Sequence, residues 1–135
     1  MAYWLMKSEP GTYSWDRLVK DGRTAWDGVR NHQAAFNLKA MKRGDRAFFY
    51  HSGDAPAVVG IVEVIKASYP DPSDPAGRFV MVDLKPVKAL AAPVPLSNIK
   101  ANAALKDLPL LRQGRLSVVP IDAASWDLIC RMGGL

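Results

Sequence analysis

Residues 26–52 read WDGVRNHQAAFNLKAMKRGDRAFFYHS, and this stretch predicts a turn, a helix and a strand in immediate succession. Gly28 follows an aspartate, a pair typical of a tight turn in which the glycine takes a positive φ. Asn31 is a good N-cap for a helix of about three turns. Residues 45–51 then predict a buried strand. The stretch therefore predicts that a turn rich in polar and aromatic side chains lies close to the end of a buried strand.

The rest of the sequence alternates short apolar runs with turn residues, which predicts strands joined by short helices. Further strands are predicted at residues 3–7, 57–66, 78–87 and 115–119, and further helices at residues 14–22, 96–105 and 122–133. Residues 26–28, 69–77 and 89–95 are predicted to be loops or irregular connections. Gly60, inside an apolar run, indicates a bulge or a close backbone approach. This pattern predicts an α+β domain around a curved or closed sheet.

The composition is that of an ordinary globular protein, with 49% hydrophobic and 23% charged residues among 135. This length predicts one domain, residues 1–135, with a core of its own. A net charge of +5 moderately favours an anionic partner. Cys130 is the only cysteine, which excludes an internal disulfide. The first apolar run is too short for a signal peptide or a membrane span, so we expect a cytoplasmic protein, with association with the nucleoid as an alternative.

Motifs for catalysis and metal binding are weak. His32 and His51 are the only histidines, and no cysteine or histidine spacing suits zinc. The sequence has no Walker-type phosphate loop and no GxSxG motif. We therefore predict no catalytic residue, no metal and no cofactor.

Polar side chains accumulate beside the ends of the predicted strands, where a barrel opens and binds ligands. An indole face, hydrogen-bonding groups and a cationic rim are what a protein needs to hold a flipped base. Trp26 supplies the stacking surface. The polar edge is assigned to Ser8, Glu9, Asn31 and Ser52, and the positive potential to Lys7, Arg30 and Arg115.

Each of these residues also has a structural interpretation. Trp26 is a core residue if the chain is read by hydrophobicity alone. Ser8 and Asn31 suit turn and cap positions. Glu9 and Arg115 can form surface ion pairs, and a histidine at a strand end is commonly structural.

The outer face of the helix that begins at Asn31 is both basic and aromatic. At 100° per residue, His32, Phe36, Lys39 and Arg43 lie opposite the apolar side of the helix. Such a face can follow a nucleic-acid backbone, and the alternative is a solvated surface.

Five blocks of this sequence resemble the signature blocks of the EVE domain family. They are YWLMKSEP at 3–10, WDGVRN at 26–31, GDRAFFYHS at 44–52, VVGIVEV at 58–64 and RLSVVP at 115–120. The resemblance covers nearly the whole chain in the family's order. It implies a PUA-like fold, a curved β-barrel with short helices packed around it. It also implies a non-enzymatic domain that reads a modified base, above all methylated or hydroxymethylated cytosine in DNA.

The resemblance implies a base-binding pocket formed by residues 7–9, 26–31 and 50–52 and closed or supported by residues 115–117. These residues are Lys7, Ser8, Glu9, Trp26, Val29, Arg30, Asn31, Tyr50, His51, Ser52, Arg115, Leu116 and Ser117. One departure from the family pattern follows Asn31, where His32, Ala35 and Phe36 replace a tyrosine, an arginine and an asparagine. The missing arginine removes a possible phosphate or pocket contact.

Two other functions are compatible with the same cavity. PUA-like domains often bind RNA, so an RNA-binding module is the first alternative. A small-ligand binder or an enzyme that uses the cavity is the second.

Overall fold

The computed structural model describes residues 1–135, in which six strands form one mixed sheet and short helices pack around it. The strands are β1 (Tyr3–Ser8), β2 (Thr24–Trp26), β3 (Arg46–His51), β4 (Ala57–Pro70), β5 (Val80–Pro95) and β6 (Val118–Ile121). The α-helices are α1 (Trp15–Asp21), α2 (His32–Ala40), α3 (Leu96–Ala101), α4 (Pro109–Arg112) and α5 (Ala123–Met132). The predicted α+β class is confirmed. No helix is both long and apolar enough to cross a lipid bilayer.

The sheet is strongly curved. Its strand order is β2-β5-β4-β3-β1-β6, with β1 and β3 parallel and the other pairs antiparallel. The long pair β4–β5 changes register at four places, and each bulge bends its strand and increases the local twist. As a result β2, at one end of the strand order, faces β1 and the chain before β6, at the other end.

The core is rich in aromatic rings and covers both faces of β3, because successive strand residues point to opposite sides. Phe48 and Phe49 of β3 are fully buried, and Trp126 of α5 stacks on Phe48 with ring centroids 3.9 Å apart. Trp15 of α1 covers Gly60 of β4, where an added Cβ would lie 2.5 Å from the indole. The bulge and the close approach predicted at Gly60 are thus both present.

Helix α2 begins as predicted, because the side chain of Asn31 accepts a hydrogen bond from the backbone N–H of Ala34 at 2.9 Å. Ala34, Leu38 and Met41 are buried, as the helical periodicity predicts. The helix ends at Ala40, and Arg43 lies in the following turn rather than on the helix.

The predicted irregular segment 89–95 is wrong, because these residues belong to β5. Strand β2 pairs only with residues 82–84, so the later part of β5 lies at an open edge. No strand lies on that side to accept a hydrogen bond. Pro93 and Pro95 are therefore tolerated there although they lack a backbone N–H.

Other predicted boundaries also move. Trp26, predicted in a loop, is the last residue of β2, and β4 continues to Pro70 instead of ending at residue 66. Strand β6 begins at Val118, so residues 115–117 form the approach to the strand. Helix α4 was not predicted, and α3 is shorter than predicted.

Candidate nucleic-acid interface

The turn between β2 and α2 is held in place by a buried aspartate from a distant part of the chain. Gly28 has φ of 76°, the positive value that the sequence predicts. Its backbone N–H donates to Oδ2 of Asp71 at 2.8 Å. The guanidinium of Arg30 donates to the same oxygen at 3.3 Å and to the Ser73 hydroxyl at 2.9 Å. Asp71 therefore fixes both the backbone of the turn and the direction of Arg30.

The Asp71 carboxylate stays ionised because its donors outweigh its burial. Burial alone raises the pKa of this carboxyl, but hydrogen bonds from Ser73, Gly28 and Arg30 lower the pKa to about 2. Asp71 lies in a segment that the sequence predicts only as a proline-rich loop, so its role was missed. The Asp-Pro-Ser order is a local signal, since Asp71 accepts from the backbone N–H of Ser73 in an Asx-turn.

Trp26 lies at the boundary between the core and the surface. Trp26 of β2 pairs with Val82 of β5. Its ring contacts Phe49 edge to face, with centroids 5.8 Å apart and planes at 89°. The indole is half-buried and packs against the core. It also lines an open cavity, so the ring is not sealed in the interior.

The cavity lies where the two ends of the curved sheet face each other, and it has a volume of about 490 Å³. Cavities of this size hold small organic ligands. Its lining residues come from β1, β2, the turns that follow them and the approach to β6: Lys7, Ser8, Glu9, Thr12, Tyr13, Thr24, Ala25, Trp26, Asp27, Gly28, Val29, Arg30, Asn31 and Ser117. The structure thus brings together eight of the thirteen residues assigned to the pocket.

Ser8 and His51 hold one wall of the cavity. They are neighbours in the parallel register of β1 and β3. The Ser8 hydroxyl donates to the Tyr13 carbonyl at 2.5 Å, and the Trp15 backbone N–H donates to Nε2 of His51 at 3.0 Å. Burial lowers the pKa of His51, against a smaller opposing effect of Asp16, so the imidazole remains a neutral acceptor.

Tyr50, His51 and Ser52 stand behind the cavity wall and are not among its lining residues. Tyr50 is buried, and Nζ of Lys7 lies 6.0 Å from the centre of its ring. The backbone N–H of Ser52 donates to the Ser8 carbonyl at 2.9 Å. These three residues therefore support β1 and do not line the cavity themselves.

Of the segment before β6, only Ser117 lines the cavity. Its carbonyl accepts from the backbone N–H of Lys7 at 2.9 Å. Leu116 is buried in the core, and Arg115 is exposed outside the lining. Lys7 donates from Nζ to the Gly114 carbonyl at 2.7 Å, and burial lowers the pKa of its ammonium group.

Asn31 and Glu9 are among the lining residues whose side chains retain hydrogen-bonding groups for a ligand. Asn31 uses Oδ1 to cap α2, and its Nδ2 has no partner in the protein. The Glu9 backbone carbonyl accepts from Thr12 and Tyr13, while its carboxylate forms no hydrogen bond or ion pair. The cavity therefore offers a donor and an acceptor beside an aromatic ring.

The family model of the EVE domain matches residues 2–132 of this chain. The chain belongs to the EVE domain family. Two relatives show how far the similarity extends. Rpa0253 from Rhodopseudomonas palustris is 51% identical, with a TM-score of 0.95 over 99% of this chain and 94% of the other.

A human relative, thymocyte nuclear protein 1 (THYN1), is also similar, both as the curated full-length protein and as the chain of a solved structure. Thymocyte nuclear protein 1 from Homo sapiens is 32% identical over 95% of this chain and 72% of its own length. The human THYN1 protein in its complex with DNA containing 5-methylcytosine is 31% identical, with a TM-score of 0.94 over 100% of this chain and 99% of the other. These similarities confirm the PUA-like fold expected from the sequence.

The three α2 positions at which the sequence resemblance implies a departure from the family pattern lie in different environments in this EVE domain. Ala35 is buried. The His32 ring lies against Phe79, with ring centroids 5.1 Å apart and planes tilted by 30°, and Phe36 projects into solvent with 66% of its surface exposed. Two of the three positions therefore lie on the outer surface of the helix and one lies in the core, and none of them lines the cavity.

Proposed function

We propose that this EVE domain binds nucleic acid by taking one modified base, a methylated or hydroxymethylated cytosine in DNA, into the cavity between β1 and β2. The observation that carries the proposal is the half-buried indole of Trp26 in an open cavity. The crystal structure of the human THYN1 protein with DNA containing 5-methylcytosine supports the choice of ligand, since that protein has the same fold.

The lining residues have distinct roles in this proposal. Trp26 stacks on the planar ring of the base, which is the usual contribution of an aromatic residue to an unstacked nucleotide. The amide of Asn31 and the carboxylate of Glu9 bind the polar edge of the base. Lys7 and Arg30 add positive potential for the neighbouring phosphates.

The remaining residues complete or support the site. Ser8, Val29 and Ser117 shape the wall that the base contacts. Four residues support β1 and the segment before α1 from behind: Tyr50, His51, Ser52 and Leu116. Arg115 adds positive charge outside the cavity. The proposal includes no chemical step, so the DNA leaves the protein unchanged.

The test is a titration of duplexes that differ only in one central cytosine, which is unmodified, methylated or hydroxymethylated, together with RNA of the same sequence. We expect the modified DNA to bind most tightly. Trp26→Ala should weaken that binding by about 1–3 kcal/mol, the usual effect of losing a stacking ring, and Trp26→Phe should retain most of it.

Equal affinity for all the DNA and RNA strands would contradict base reading and indicate an electrostatic surface alone. A preference for RNA would favour the RNA-binding alternative. Recovery of altered DNA, or a bound small molecule that competes with DNA, would favour an enzyme or a small-ligand binder.

A further inference from the structure

A basic and aromatic surface covers the outer side of α2 and the turn after it. His32, Phe36 and Lys39 share one face, because successive residues are about 100° apart on a helix, and all three are exposed. Lys42 and Arg43 are exposed in the turn that follows. These five residues are called the α2 surface below.

The positive charges of the α2 surface have no acidic partners. Residues 30–43 contain no aspartate or glutamate. Ion pairs elsewhere in the chain occupy Arg17, Arg23, Arg30, Arg46, Lys85 and Arg112. Lys39, Lys42 and Arg43 take part in none of them, so their charges remain available to an external anion.

Phe36 gives this surface a second property. It is the only aromatic side chain among the exposed large hydrophobic residues of the chain. A single ring among unpaired cations suits a nucleotide strand, in which bases stack on aromatic side chains and phosphates pair with cations.

The α2 surface is continuous with the cavity. Phe79 packs beneath the start of α2, with the centre of its ring 5.1 Å from that of His32. The guanidinium of Arg30 lies 5.4 Å from the Phe79 ring centre, and that of Arg78 lies 6.0 Å from it. Because Arg30 also lines the cavity, cationic and aromatic groups lead from the cavity onto the helix.

We infer that the DNA strand flanking the captured base runs along the α2 surface, an inference that rests on the proposed function. Phe36 packs against a neighbouring nucleotide, and Lys39, Lys42 and Arg43 contact phosphates. The helix rises about 1.5 Å per residue, so Asn31 and Lys39 are separated by about 12 Å. At about 3.4 Å per phosphate, this distance corresponds to three or four nucleotides of one strand.

The test compares a short duplex carrying one central 5-methylcytosine with the mononucleotide 5-methyl-deoxycytidine monophosphate. In the double variant Lys39→Gln and Lys42→Gln, the slope of log affinity against log salt concentration for the duplex should fall by about 2, at about 0.9 per phosphate contact. Affinity for the mononucleotide should not change. For the methylated strand of that duplex used alone, whose bases are free to stack on the ring, Phe36→Ala should weaken binding about 5-fold or more.

Two control variants separate this surface from general charge effects. Lys88→Gln removes one exposed, unpaired charge near α1, and it should leave the slope nearly unchanged. Lys39→Arg keeps the charge and should keep the wild-type slope. Circular dichroism would establish that each variant is folded, as expected for exposed positions.

A double variant with the wild-type slope, or a Phe36→Ala variant with wild-type affinity, would overturn the inference. The slope is measured on methylated and unmethylated duplexes alike. If the wild type binds methylated and unmethylated duplexes equally well, the proposed function is contradicted. The salt slope would still decide the role of the α2 surface. Absence of any duplex binding would overturn both.

Discussion

Replacing Asp71 with asparagine tests whether a single buried carboxylate positions the rim of the cavity. The change keeps the shape of the side chain and removes its charge. The carboxylate accepts from Gly28, Arg30 and Ser73, so the variant weakens the two contacts that Asp71 makes with the turn and leaves the contact between Arg30 and Ser73 in place. We expect lower stability and weaker ligand binding.

The size of the effect follows from the pKa of Asp71. The pKa falls from 3.8 to about 2 in the folded protein, and each pKa unit corresponds to about 1.36 kcal/mol. The ionised form is therefore favoured by about 2.5 kcal/mol. The carboxylate itself is not exposed, but it lies just below the surface of the protein. Solvent therefore screens part of this energy. We expect the variant to lose about 1–2 kcal/mol of unfolding free energy at pH 7.

The pH dependence has a definite sign. Because the folded pKa lies below the unfolded value, the stabilisation is present above about pH 4 and is lost as the pH falls towards 2. Urea unfolding of the wild type and Asp71→Asn between pH 7 and pH 2 measures this difference. The gap between the two proteins should close as the pH approaches 2.

An equally wide gap at pH 7 and pH 2, or no gap at all, would refute this reasoning. Ser73→Ala is a useful comparison, since it removes one donor and leaves the charge in place. It should lower stability by less than Asp71→Asn at pH 7.

Two further predictions concern the wall of the site. Gly60→Ala should lower the unfolding free energy by about 1–3 kcal/mol, because its Cβ would meet the Trp15 indole at 2.5 Å. Gly114→Ala, with no atom within 4 Å of its Cβ, should change stability little, and equal effects in urea unfolding would contradict the packing argument. For His51, the lowered pKa means that stability should fall as the pH drops below 6.5 and protonation removes the acceptor of the Trp15 N–H. His51→Gln should flatten this pH profile, and an unchanged profile would exclude His51 as its source.

Local chemistry made part of the site predictable from the sequence. The positive φ of Gly28 and the cap at Asn31 depend on neighbours within a few residues, and both occur as predicted. The blocks that resemble the EVE family located the cavity for the same reason, because Lys7, Trp26 and Arg30 lie within short, recognisable stretches.

Long-range geometry made the rest unpredictable. Asp71 acts on a turn about forty residues away, and no periodicity connects the two segments. Tyr50 and His51 were expected in the pocket, but they pair with Lys7 and Ser8 of β1 and support the wall instead of lining the cavity. Strand β5 continues through its prolines only because β2 leaves its edge open, a fact that depends on tertiary structure.

The brevity of β2 has a consequence for how the family can diversify. This strand has three residues and pairs with β5 alone, yet all three line the cavity together with the turn that follows. Insertions or deletions there would change the width of the entrance without disturbing the aromatic interior. A relative with a longer or shorter β2 would accept a larger or smaller ligand. Ligand size could therefore change while the stability of the folded core stays the same.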